Sequence, residues 1–176
     1  MSDDTGSDTR DERTYRHLHV EDARDAPSLT DHKYELDEAV DAGAFGFNVY
    51  VASEGQRLPW GRHHHPDHEE AFYVLEGELV VEMGPAGETE TLRVGPDEAL
   101  FVPPGTTNRA VAAADGTRVV AVGAPKASDG AVIEERCGAC GEATGRDYEV
   151  EEGGDVYVLY CASCGAEADR LVAGSG

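Results

Sequence analysis

Short apolar stretches broken by glycine, proline and charged residues set the rhythm of this chain, most clearly from Phe47 onward. The runs "FNVYVAS", "EAFYVLEGELVVEM", "ETLRV", "ALFVPPG", "NRAVAAA" and "TRVVAVGAP" are rich in valine, phenylalanine and tyrosine. Each is the length of a strand, and turn residues separate them. No long stretch shows the 3.6-residue period of an amphipathic helix, so the pattern predicts an all-β sandwich or barrel. Upstream, "HKYELDEAV" fits either a strand or a short helix. Residues 1–14 are polar, charged and without period, which predicts a disordered acidic tail. The β domain is expected over residues 15–126, with a small, polar, proline- and glycine-marked linker at 127–131. A cysteine-bearing module is expected at 132–170 and a flexible tail at 171–176.

Charge narrows the partners. Asp and Glu number 36 against 14 Lys and Arg, a formal net charge of -22. That surplus argues against nucleic acid and against anionic membranes, since binding to either rests on clustered cations. The acids fall 13, 12 and 11 in residues 1–46, 47–128 and 129–176, so they describe the whole surface rather than a tail. With only Lys33 and Lys126 as lysines, the composition resembles that of salt-accumulating halophiles. An ordinary acidic protein is the alternative. No apolar stretch reaches the length that spans a bilayer, and "MSDDTGSDTRDERT" has neither a basic nor an apolar leader region, so the chain is expected to be cytoplasmic.

The segment "GRHHHPDHEEAFYVLEG", residues 61–77, concentrates the chemistry. In a strand His63 and His65 share one face while His64 points to the other. A carboxylate from the next strand completes a two-histidine, one-carboxylate set with open positions. Iron suits that set, and manganese, nickel, cobalt or zinc are feasible. His64 and His68 are expected outside the set or exposed, although a turn at "HPDHEE" would fold His68 back toward it. Arg62 and Arg109 either steer an anion or are plain surface arginines. Trp60, Phe72, Tyr73 and Phe101 either line a pocket or, as alternating aromatics in strands usually do, pack the core.

The same segment resembles the first motif of the cupin superfamily, with His63, His65, Glu70 and Gly77 in the family's spacing. "GPDEALFVPPGTTN" resembles the second motif, with Gly95, Pro103 and Gly105 in register. The resemblance implies a jelly-roll barrel, a divalent metal held by His63, His65 and Glu70 rather than Glu69, and a possible homodimer through the barrel edges. It departs from the family at Asn108, where a fourth histidine ligand usually stands, and at Ala112, where a later asparagine is usual. An asparagine carbonyl is a poorer donor than imidazole for late transition metals. A weakly held metal, an extra water position and an empty site all stay open.

The cysteines form two pairs, Cys137/Cys140 and Cys161/Cys164, in "RCGACGEA" and "YCASCGAE". Two C-x2-C knuckles separated by 20 residues have the spacing of a four-cysteine zinc site. A redox dithiol is the alternative. The module resembles a zinc ribbon, and four thiolates would leave no position for substrate, so its zinc would be structural. Ten acidic residues against Arg136, Arg146 and Arg170 in 132–170 point to protein contacts rather than nucleic acid. The functional expectation is a metal-binding cupin that acts on or senses a small molecule, as a dioxygenase or isomerase if it is an enzyme. The alternative is a non-catalytic binding or interaction module with a weak or empty barrel site.

Overall fold

The computed structural model describes residues 15–172 other than 129 and 152. The expected tail at 1–14 lies outside the described residues, as does most of the expected tail at 171–176. The chain runs through β1 (His32–Glu35), a one-turn helix α1 (Leu36–Ala39), β2 (Gly46–Ala52), β3 (Arg57–His64), β4 (Glu69–Glu76) and β5 (Leu79–Met83). It continues through β6 (Glu90–Val94), β7 (Ala99–Val102), β8 (Asn108–Ala112), β9 (Thr117–Ala124) and β10 (Val132–Ile133). Each apolar run of the sequence thus forms a strand, with "EAFYVLEGELVVEM" split into β4 and β5 at Gly77. "HKYELDEAV" is both things in turn, β1 and then α1.

Two five-stranded antiparallel sheets face each other, in the orders β1-β2-β9-β4-β7 and β10-β3-β8-β5-β6. Strand alternation sends one set of side chains between them. In β9, Thr117, Val119 and Ala121 are buried while Arg118 and Val120 are partly exposed. Leu58, Phe72, Val74, Leu79, Val81, Val119 and Ala110 fill the interior and are fully buried. Burying seven such residues supplies the main stabilisation, at about 25 cal/mol per Å² of apolar surface. The inward residues of β9 shrink from Val119 to Ala121 to Gly123, so packing thins toward that end of the barrel and leaves space there.

A second, smaller apolar cluster of Ala23, Leu36 and Val49 seals the N-terminal segment onto the outer face of the first sheet. The aromatic expectation needs correction. Phe72 is in the core, but Tyr73 is 39% exposed and Phe101 68% exposed. The reason is pleat phase: Phe101 pairs with Ala71 on the outward face, while Phe72 pairs with Leu100 inward.

The cysteine module follows as β11 (Glu135–Arg136), β12 (Ala143–Thr144), β13 (Arg146–Val150), β14 (Val156–Cys161) and β15 (Glu167–Val172). Its last strand outlasts the expected boundary at 170, and Leu171 is fully buried. The module is fastened to the barrel. β10 pairs with β3 and extends the barrel's own sheet. Arg57 of β3 donates to Asp169 of β15 at 2.5 Å, and Val172 bridges to Ser28. Glu135 accepts from the Arg62 amide at 2.7 Å. No described helix is long and apolar enough to cross a membrane.

Candidate metal centre

β3 pairs with β8, and beyond a register shift between Leu58 and His63 the pairing sets His63 directly opposite Asn108. Both side chains point into the barrel, His63 fully buried and Asn108 1% exposed. His65 follows just past the end of β3, its ring 5.1 Å from that of His63 and nearly perpendicular to it. Glu70 enters from β4 and is buried, while its neighbour Glu69 on the opposite face is exposed. One donor atom from each of His63, His65 and Glu70 lies within 4.8 Å of the others.

The proton positions inside this cluster follow from its partners. His63 Nδ1 lies 2.9 Å from the Gly61 carbonyl. A carbonyl only accepts, so Nδ1 carries the hydrogen and the Nε2 lone pair is turned inward. Nε2 sits 3.6 Å from Glu70 Oε2. Two acceptors facing each other in a buried space require a cation between them or a second proton on the imidazole. The backbone bond to the distal ring nitrogen is the arrangement that metal-ligating histidines use to fix their tautomer. Both polar atoms of the Asn108 amide and Glu70 Oε2 are buried with no hydrogen-bond partner. Buried polar atoms are seldom left so, and a bound ion is one of the standard explanations. Three donors of mixed imidazole and carboxylate type, with an amide beside them, fit a divalent metal.

His68 folds back over the cluster. It is 4% exposed, and its ring lies 4.8 Å from that of His65. Its Nδ1 donates to the Pro125 carbonyl at 3.1 Å. The space it uses exists because Gly123 has no side chain: a Cβ there would stand 1.7 Å from His68 Nε2. His64 points to the other side of β3, with Nδ1 3.9 Å from Glu134. Arg62 and Arg109 also lie on that opposite face. Arg62 is buried rather than a surface arginine, donating to Glu82 and to the Gly84 carbonyl at 2.6 Å. Arg109 donates to Glu82 at 2.7 Å.

A pocket of about 470 Å³ opens above the cluster. His65, His68, Glu70, Trp60, Ile133 and Tyr148 are among the residues that line it, His68 and Glu70 buried and Tyr148 56% exposed. Trp60 takes the pocket-lining alternative rather than the core, and Tyr148, which comes from the cysteine module, was the harder one to anticipate.

In that module the four sulfurs lie within 4.8 Å of one another. The closest approaches run between the knuckles, Cys137 to Cys164 at 3.8 Å and Cys140 to Cys161 at 3.8 Å. A tetrahedron with Zn–S of about 2.3 Å has an S···S edge of about 3.8 Å, while a disulfide needs about 2.05 Å. Amides of Cys140 and Ala139 pull the Cys137 thiol down to about 6. This favours the thiolate at Cys137, whereas Cys140 and Cys164 are pushed up. The four cysteines fit a small closed zinc site.

Comparison with known proteins agrees with this geometry. Residues 49–123 match the family model of the cupin domain. This stretch is similar to cupin domains. It contains β3, β4 and β8, and so His63, His65, Glu70 and Asn108. Over 47 residues the chain is 43% identical to the uncharacterized protein YdbB of Bacillus subtilis (strain 168), covering 27% of this chain and 39% of that protein's length. The polyketide cyclase RemF from Streptomyces resistomycificus is similar in structure, with a TM-score of 0.54 and 26% identity over 67% of this chain and 84% of that one. Oxalate decarboxylase from Bacillus subtilis is similar in fold, at a TM-score of 0.50 and 16% identity, over 65% of this chain and 30% of that one.

Proposed function

We propose that this protein is a metal-dependent cupin that acts on a small oxygen-bearing molecule at His63, His65 and Glu70, with a structural zinc held by Cys137, Cys140, Cys161 and Cys164. The observation that carries the reading is the convergence of one donor atom from each of His63, His65 and Glu70 within 4.8 Å of one another, beside the buried Asn108 amide that has no hydrogen-bond partner. A divalent ion there supplies Lewis acidity to an oxygen of the substrate. The chain's own residues do the rest. Gly61 fixes the His63 tautomer, Asn108 offers an amide oxygen to the ion or an amide hydrogen to the ligand, and His68 presents an Nε2 lone pair at the pocket wall. The barrel packing keeps bulk water from the inner end. The similarity to a polyketide cyclase at 26% identity favours an enzyme over a sensor.

A second reading is a binding module that senses its ligand without turnover. Asn108 favours it, because the barrel then has one strong donor fewer than a three-histidine set.

Metal content decides the first question. Protein purified without chelators or a histidine tag is analysed by elemental mass spectrometry beside His63→Ala/His65→Ala. The expected result is one zinc that survives the double substitution and a second metal that does not. Equal metal content in both proteins, together with no rise in melting temperature on adding iron, manganese or nickel, would refute the barrel site.

A further inference from the structure

We propose that the cysteine module forms the outer wall of the barrel pocket through Tyr148, so that zinc in the module controls how tightly the barrel site holds its ligand. This rests on the reading of the barrel as a metal-dependent site. The aromatic contacts carry it. Trp60 on β3 meets Tyr148 edge-on at 5.9 Å and Tyr157 edge-on at 6.2 Å, while Tyr148 and Tyr157 stack at 5.8 Å. Tyr148 thereby lines the same pocket as His65 and Glu70, although it lies in a different module.

The hairpin that carries Tyr148 depends on the cysteines. β13 pairs with β14 from Arg146 opposite Cys161 to Val150 opposite Tyr157. The chain between Cys140 and Cys161 is therefore a loop whose two ends a single ion ties together. Few side chains of this module are buried, chiefly Val158, Leu159 and Leu171. So small a core relies on its metal for folding free energy. The pocket's lining combines the buried polar groups His68 and Glu70 with the less buried aromatic rings of Trp60 and Tyr148. That distribution suits a ligand with paired oxygen donors at one end and a flat apolar body at the other.

The test uses the full chain with zinc in the module and nickel in the barrel, and two probes with a similar bidentate oxygen pair. 4-Nitrocatechol has a flat ring; acetohydroxamate has none. Calorimetric titration of Tyr148→Ala should show 4-nitrocatechol binding weakened roughly three- to tenfold, the scale of one aromatic contact. Acetohydroxamate binding should be unchanged, and Tyr148→Phe should match wild type for both. Release of zinc with a mercurial should reproduce the Tyr148→Ala pattern. Unchanged 4-nitrocatechol affinity overturns the proposal, as does an equal loss for both probes, which would mark damage to the metal site itself.

A separate readout needs no barrel metal. Trp60 is the single tryptophan of the chain. Its emission should shift to longer wavelength, with greater acrylamide quenching, when zinc is released, and should do so equally in His63→Ala/His65→Ala. Emission indifferent to zinc release overturns the wall. A wild-type barrel that takes no nickel overturns the proposed function instead, and the Trp60 emission then decides the wall by itself.

Discussion

At the scale of single residues, the site turns on Asn108 and Gly123. Asn108 stands opposite His63 with both amide atoms buried and without a partner. Replacing it with histidine adds a stronger donor to the same face, so Asn108→His should raise nickel affinity by about an order of magnitude, as read by competition with a chromophoric chelator. Loss of affinity would mean that the amide is not beside the ion. Gly123 decides where His68 goes. Its Cβ would occupy the space of the imidazole, 1.7 Å from Nε2. Gly123→Ala should therefore cost about 1–3 kcal/mol in urea denaturation by overpacking and displace His68 from the pocket wall. Strand alternation made the shared face of His63 and His65 legible in the sequence, whereas Glu70 was picked out over Glu69 only by the resemblance of the motif spacing to cupins. The return of His68 toward the cluster was one of two readings of the turn at "HPDHEE"; what decided between them, a glycine on a distant strand, was not legible.

At the scale of elements, β3 is the strand the sequence hid. "RLPWGRHH" contains proline, glycine and two arginines and is absent from the apolar runs that mark strands, although its histidines were read as strand residues. Tertiary partners override that local signal. β8 pairs with one edge of β3 and β10 with the other. Glu135 then anchors it, accepting from the Arg62 amide and lying 3.9 Å from Arg57 and 3.7 Å from Arg109. Gly61 makes this approach possible with φ of 121° and Glu135 Oε1 2.6 Å from where a Cβ would be. Removing the carboxylate leaves a buried amide hydrogen without an acceptor, at a cost of about 1–3 kcal/mol. Glu135→Ala should lower the urea midpoint accordingly, and it should also weaken metal retention at His63, which shares the strand. An unchanged midpoint would show that β3 is held by its strand pairings alone.

At the scale of the whole molecule, the net charge of -22 acts on stability rather than on any one site. Like charges spread over the surface repel one another in the compact state more than in the unfolded chain. The exposed ion pairs offset little of this: Arg93 with Glu78 and Arg170 with Glu151 and Glu167 sit in water, where such pairs contribute roughly 0–1 kcal/mol. Salt shortens the screening length from about 10 Å at 0.1 M to about 3 Å at 1 M, which removes repulsion between distant carboxylates and leaves buried pairs such as Arg62 with Glu82 largely intact. The melting temperature should therefore rise between 0.1 and 1 M sodium chloride, by about 2–4 °C for each kcal/mol of repulsion relieved. Exclusion of solute from the surface also stabilises folded proteins, so the charge mechanism needs its own control. Glu54, Glu88 and Glu90 are exposed. Changing all three to lysine reduces the net charge by six, so the triple variant should start from a higher melting temperature at low salt and show a shallower rise. A slope identical to that of the wild type would assign the stabilisation to solute exclusion and remove charge repulsion as its cause.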